Sequence, residues 1–218
     1  AASGIAVKYL ARKDAKVLGM IGAGYQSLFQ LEALNEVMKI ELVKIFDVIE
    51  KKAENLAAIA KEKFGLNTRS VATTEDAVRG SDVIITITPT KTPIVKSEWV
   101  TQGMHINAIG ADAPGKEELE AEILKRAKIV IDDWEQASHS GEINVPLSKE
   151  LITRANIYAE MGEIVVGAKP GRVSDNEITM FDTTGLAVQD IITAWHVYEV
   201  AEERDIGREF EPLYSCHC

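Results

Sequence analysis

The sequence predicts an α/β protein in which a doubly wound parallel sheet carries helices on both faces and is followed by a C-terminal helix. Three observations carry that expectation. Short, β-branched apolar runs read as strands buried on both faces: "VLGMI" (17–21), "LVKIFD" (42–47), "DVIITIT" (82–88), "HINAIGA" (105–111) and "KIVIDD" (128–133). Stretches with apolar residues three or four apart alternate with them, the rhythm of strand–helix–strand units. The first run also feeds a glycine turn, "IGAGYQS" (21–27), that opens into a helix.

Taken in order, residues 1–13 read as an entering helix. After the glycine turn, "YQSLFQLEALNEVM" sets Leu28, Leu31 and Leu34 on one helical face, and "KKAENLAAIAKEKFG" is a second helix. A short strand in "TRSVA" and a helix in "TEDAVRG" lead to the run at 82–88, and "KEELEAEILKRA" is read as the helix after 105–111. Beyond residue 140 the periodicity weakens, with a helix ending at Gly167 and a strand in "EITMFD". After Gly185, "LAVQDIITAWHVYEVAEERDIG" is amphipathic, with Ala187, Ile191, Ala194, Tyr198 and Ala201 near one face. Residues 1–187 are expected to form one domain, and 188–218 a helix and tail.

Composition narrows the function classes. The 218 residues suffice for one substantial core plus an appendage. Acidic residues outnumber basic ones 34 to 24, a net charge of −10, and no Lys/Arg run is interleaved with aromatics, so no nucleic-acid partner is expected. The apolar runs are too short to cross a bilayer and no basic-then-apolar leader is visible, so no membrane partner is expected and the cytoplasm is the expected compartment. The cysteines, Cys216 and Cys218, both stand in the closing "SCHC", which leaves the body without a disulfide and suits a reducing compartment. Three adjacent ligands at a chain end cannot close a tetrahedral site, so no metal is expected.

The glycine turn meets three tests of a dinucleotide site: a strand before it, a helix after it, and an acidic residue, Asp47, closing the next strand. Gly22 permits the tight turn, and Gly24 lets backbone N–H groups approach a pyrophosphate at the helix N-terminus. Asp47 can accept from both ribose hydroxyls and repels a 2′-phosphate, and Val48 and Ile49 supply no arginine to bind one, so NAD is expected over NADP. Ser27 stands where the third glycine of the fingerprint belongs. The alternative is an ordinary strand–turn–helix.

A second motif, "HINAIGADAPGKEEL" (105–119), puts Asp112 just past a strand's carboxyl end, the edge where ligands sit in open α/β sheets. The small residues at 108, 110 and 111 would let a flat ring approach the backbone, and a carboxylate there can relay protons. Equally, Asp112 could cap a helix beginning near Lys116. Thr88 and Thr183 offer hydroxyls near strand ends, or are simply β-branched strand residues. The histidines at 105, 139 and 196 show no ligand spacing and receive no catalytic role, and the three tryptophans are read as packing.

"IGADAPGKEEL", together with "EWVTQGMHINAIG", "SGEINV" and "FDTTGLAVQD", resembles the ornithine cyclodeaminase and μ-crystallin family over essentially the whole chain to about Gly207, most of all its archaeal-type NAD-dependent alanine dehydrogenases. The resemblance implies a Rossmann-type NAD-binding domain, with Asp112 as the catalytic acid/base. It implies cofactor contacts at Gly22, Gly24, Tyr25, Gln26, Asp47, Thr88, Ile109, Gly110, Ala111, Lys116 and Thr183. It further implies a small L-amino acid as substrate, with oxidative deamination as the reaction. Cyclisation of ornithine to proline with loss of ammonia, or binding without catalysis in the crystallin manner, are the alternatives. A homodimer is implied for the full-length family pattern, with an N-terminal domain that supplies cationic substrate ligands. This chain matches the pattern only beyond that domain, so it is expected to bind NAD without appreciable turnover by itself, and the apolar stripe of its last helix is expected to be poorly covered.

Overall fold

The computed structural model describes residues 2–208, so Cys216 and Cys218 lie outside the described residues. The chain divides into two compact units, Ala1–Thr184 and Gly185–Cys218. The first begins with α1 (Ala2–Leu10), β1 (Val17–Ile21), α2 (Tyr25–Asn35), β2 (Leu42–Phe46), α3 (Glu50–Phe64), β3 (Thr68–Ser70), α4 (Thr74–Val78) and β4 (Val83–Thr86). It continues with β5 (His105–Ala108), α5 (Ala121–Arg126), β6 (Ala127–Ile131), α6 (Trp134–Ser140), α7 (Asn144–Ser148), β7 (Ile157–Glu160), α8 (Met161–Val165) and β8 (Ile178–Asp182). The second contains α9 (Ala187–Glu203).

The strands form one sheet in the order β3-β2-β1-β4-β5-β8-β6-β7, and every pairing is parallel. The chain winds outward from β1 through β2 to β3, then restarts on the other side of β1 with β4. That reversal makes the β1/β4 boundary the topological switch point. Because all strands point one way, their carboxyl ends share one edge.

Side-chain alternation along the strands sends the core to both faces. In β4, Val83 and Ile85 join Leu31 and Leu34 of α2, Ala53, Leu56 and Ala60 of α3 and Val7 of α1 on one face. Ile84 joins Ala77 and Val78 of α4, Ile123 and Leu124 of α5 and Ala137 of α6 on the other. A third cluster ties α1, through Ala6 and Leu10, to Val130, Phe181 and Ile164 of α8. The expected doubly wound sheet is therefore present. Each fully buried leucine or isoleucine contributes roughly 1.5–3 kcal/mol, so these two faces dominate the stability of the unit.

Some boundaries differ from the sequence expectation. The strands expected to run to residues 88 and 111 end at Thr86 and Ala108. The helix expected from Lys116 begins only at Ala121, because residues 116–119 lie extended, with Ile94 and Val95 N–H groups donating to Glu118 O (2.8 and 3.0 Å) and Val95 bridging Leu119. The edge strand β7, with four residues, and the helix α6, with seven, are too short for their periodicity to register. Taken by itself, α9 has no buried residue, and Val188, Ile191, Ile192, Trp195 and Tyr198 are all more than half exposed. Among the described residues no helix is long and apolar enough to cross a membrane.

Candidate functional site

The glycine turn sits at the switch point. Gly22 has a φ of +106°, and a Cβ there would come within 2.6 Å of Ile87 O and 3.1 Å of Thr88 Cγ2, so only glycine lets β1 exit this close to the end of β4. Gly24 differs: a Cβ on it would meet no protein atom within 4 Å. Nothing in the fold requires glycine there, which is the pattern expected where a backbone must stay bare for an external group. Gly24 precedes α2, and no side chain caps that helix. The departure at Ser27 is also explained, because its buried hydroxyl donates to Gly22 O (2.9 Å) and ties helix to turn. Tyr25 and Gln26, the first residues of α2, are exposed beside the turn.

Asp47 follows β2 and is partly buried. Its Oδ2 accepts from Ala23 N–H (2.8 Å) and its Oδ1 from Ile49 N–H (2.8 Å). The carboxylate thus holds the glycine turn against β2 while each oxygen keeps a lone pair free. Val48 and Ile49 expose apolar surface next to it, Val48 at 90%.

At the end of β5, Ile109 is half-buried, Gly110 and Ala111 are buried, and Asp112 is exposed. Asp112 caps no helix, since none starts before Ala121. Its Oδ1 is instead ion-paired with Nζ of Lys116, a side chain only 18% exposed. Asn144 holds the intervening turn: its Oδ1 accepts from Gly115 N–H (3.0 Å) and its Nδ2 donates to Lys116 O (3.1 Å). Thr183 N–H donates to Ala108 O (3.2 Å), which brings the end of β8 beside this loop, and Thr183 Oγ1 donates to Asp132 Oδ2 (2.9 Å).

Beneath the loop lies a set of buried carboxylates that sequence reading did not single out. Glu118 accepts from Thr88 N–H and Thr88 Oγ1 (both 2.7 Å) on one oxygen and from Gly110 N–H (3.0 Å) on the other. Glu142 accepts from the N–H groups of Glu118 (2.8 Å) and Leu119 (2.7 Å). Asp182 accepts from Ile143 N–H (3.1 Å) through Oδ2, and its Oδ1 has no hydrogen-bond partner among the described residues. Burial raises the pKa of Glu118, and burial with the neighbouring Glu118 charge holds Glu142 well above the usual carboxylate range. Burial pushes Asp182 up to about 7. Backbone donors on three chain segments are thus gathered by carboxylates whose charges oppose one another.

Thr88, Gly110 and Glu118 meet closely, and Gly22 stands against the same Thr88, while Asp112 and Lys116 pair above them. Asp47, Tyr25 and Gln26 lie at the other end of this edge, past β1. His105 is fully buried between Thr179 and Asn107, and burial holds its pKa at about 3, so it is a neutral packing group. His139 and His196 are exposed on α6 and α9. Among the described residues no group of His, Cys, Asp or Glu could hold a metal ion. A cavity of about 350 Å³ lined by Trp134, Arg154, Tyr158, Glu160 and Lys169 lies along the β7 edge and contains none of the residues above.

The family model of the ornithine cyclodeaminase/mu-crystallin family matches residues 1–205. The chain belongs to that family. It is 53% identical over 211 residues to an alanine dehydrogenase of Archaeoglobus fulgidus, covering 97% of this chain and 65% of that protein. It superposes with a TM-score of 0.93 on an archaeal alanine dehydrogenase dimer with bound NAD, at 51% identity, covering 96% of this chain and 65% of the other. The same TM-score of 0.93 relates it, at 39% identity and with the same coverage, to a Δ1-pyrroline-2-carboxylate reductase of Thermococcus litoralis in complex with NADH and L-proline. The chain thus spans somewhat under two thirds of the length of these family members.

Proposed function

We propose that this chain is the dinucleotide-binding part of an NAD-dependent oxidoreductase acting at the Cα–N bond of a small L-amino acid. The observation that carries this reading is one sheet edge holding two parts: a bare, uncapped glycine turn next to Asp47, and a rigid loop presenting Asp112. The relatives with bound NAD and NADH support the choice of cofactor. NAD, when bound, supplies the hydride acceptor.

The residues divide the remaining work. Backbone N–H groups at the start of α2 face a diphosphate, with Tyr25 and Gln26 beside it. Asp47 has acceptor capacity left for ribose hydroxyls, and its charge disfavours a 2′-phosphate. Gly110 and Ala111 present backbone with little side chain, with the half-buried Ile109 beside them, so a flat ring can lie against this stretch near Thr88 and Thr183. Lys116 orients the Asp112 carboxylate, which takes up or returns the proton of the substrate nitrogen or of the water that attacks the imine. Oxidation of the amino acid gives the imine, and water attack then gives 2-oxo acid and ammonia. Reduction of an imine is the same chemistry in reverse, and the likeness to the pyrroline-carboxylate reductase favours it as a second reading. The whole protein, by its likeness to the archaeal alanine dehydrogenase dimer, would work as a homodimer.

The cofactor part is checked by calorimetric titration of the chain. NAD⁺ is expected to bind at one site per chain, with NADP⁺ roughly tenfold weaker or worse, about 1.4 kcal/mol. Asp47→Ala, which also releases the N–H groups of Ala23 and Ile49, is expected to weaken NAD⁺ by roughly 10–100-fold, on the scale of one hydrogen bond to a charged group. Equal affinity for the two cofactors in the unaltered chain would contradict the role given to Asp47.

A further inference from the structure

Glu118 stands where no reading of the cofactor or the acid/base places a residue, yet its carboxylate touches both loops on which that reading depends. One oxygen takes the N–H and hydroxyl of Thr88, the other takes the N–H of Gly110. The two loops are already in backbone contact: a Cβ on Gly110 would lie 2.3 Å from Thr88 O, 2.5 Å from Thr88 N and 2.6 Å from Glu118 Cδ. Thr88 in turn abuts Gly22. The carboxylate is therefore the joint between the strand end that lies against the glycine turn and the strand end that carries Asp112.

Three further facts distinguish this joint from general packing. Every contact to the carboxylate comes from a donor, so both oxygens must accept, a task an amide of the same shape cannot perform. The group is buried and burial disfavours its charged form, yet removing it would leave the Thr88 and Gly110 donors unpaired, so the carboxylate is tied to these two loops rather than to general packing. Glu118 is also held in turn: Glu142 takes the N–H groups of Glu118 and Leu119, and Gly141 admits no side chain because a Cβ there would lie 2.5 Å from Asp182 Oδ2. The groups facing Glu118 are the donors of Thr88 and Gly110, the buried Thr86 hydroxyl and, among charged residues, Glu142 and Asp182.

We propose that Glu118 is a positioning residue that sets the separation between the loop after β4 and the loop after β5, and so fixes Asp112 and the backbone of 109–111 against the nicotinamide half of the cofactor. Glu142 acts one step behind, by fixing Glu118. This rests on the NAD reading given above. The adenosine half, held at the glycine turn and Asp47, does not depend on the joint.

The test compares two probes, NADH and ADP-ribose, on the 218-residue chain. NADH is followed by the blue shift and enhancement of its emission, which report the surroundings of the nicotinamide; ADP-ribose is followed by calorimetry. Glu118→Gln turns an amide N–H₂ toward one of the donors while keeping volume. The expected result is ADP-ribose affinity within about twofold of the unaltered chain, NADH affinity down by roughly tenfold or more, and loss of the emission shift. Glu118→Asp, which keeps the charge but is one methylene too short to reach both loops, is expected to fall between, and carries the test if the glutamine variant does not melt cooperatively. Unchanged NADH binding in both variants, or equal losses for NADH and ADP-ribose, would overturn the positioning role. Failure of the unaltered chain to bind either probe would overturn the NAD reading itself, and the positioning role with it.

Discussion

Gly110→Ala is expected to lower the stability of the chain by about 3 kcal/mol, the upper range for forcing a methyl group into packed backbone. The added carbon has nowhere to go. Its neighbours at 2.3 and 2.5 Å are the carbonyl oxygen and nitrogen of Thr88, which belong to the strand end rather than to a flexible side chain. Relief requires the loops after β4 and β5 to part, and parting them breaks the Glu118 contacts with Thr88 and Gly110. For a unit of this size the melting temperature should fall by roughly 6–12 °C. Gly24→Ala is the matched control, because the space around Gly24 is open and stability should change little. Thermal melts of the two variants check this, and a Gly110→Ala loss below about 1 kcal/mol would mean that the two loops are not rigidly joined.

Asp112→Asn in the natural protein is expected to reduce turnover by roughly 10²–10⁴-fold, the usual worth of a positioned general acid/base. The substitution is nearly isosteric and sits on an exposed side chain, so the fold and the affinity for NAD⁺ should survive it. What it removes is the proton-accepting carboxylate and the ion pair with Lys116. Steady-state rates together with a direct NAD⁺ titration separate the two effects. Full activity in the variant would remove Asp112 from the chemistry and leave it a loop residue that orders Lys116.

The sheet was legible because buried parallel strands must be apolar on both faces, and the five runs at 17–21, 42–47, 82–88, 105–111 and 128–133 all belong to it. The glycine turn was legible because steric demands at Gly22 leave one residue type, and the position of Asp47 at the end of β2 followed from the same unit. The order of strands beyond β5 was not: β8, late in the chain, inserts between β5 and β6, and no local pattern encodes that choice.

The buried carboxylates escaped for an instructive reason. In "KEELEAEILKR", Glu118 looks like one of several glutamates on the solvated face of a helix, the state its propensity favours. Tertiary contacts win instead. The strand-like bridge of Val95 to Leu119 and the two N–H groups held by Glu142 stretch residues 116–119 into extended chain. The signal that could have exposed this is an acidic residue in each of the three family segments, "GKEEL", "SGEIN" and "FDTTG", which supply Glu118, Glu142 and Asp182. Asp182 in "EITMFD" reads as a strand end, and only the folded sheet shows that it is buried beneath Gly141.

Whether this sheet edge serves oxidation and reduction at a Cα–N bond can be read by following NADH absorbance in the natural protein. L-alanine, L-ornithine and other small L-amino acids are supplied with NAD⁺, and the corresponding imines or 2-oxo acids plus ammonia with NADH. Cofactor-dependent turnover is expected with at least one small L-amino acid or its imine, faster with NAD(H) than with NADP(H). Tight NAD binding with no turnover in either direction would contradict it and leave a binding protein built on the same fold.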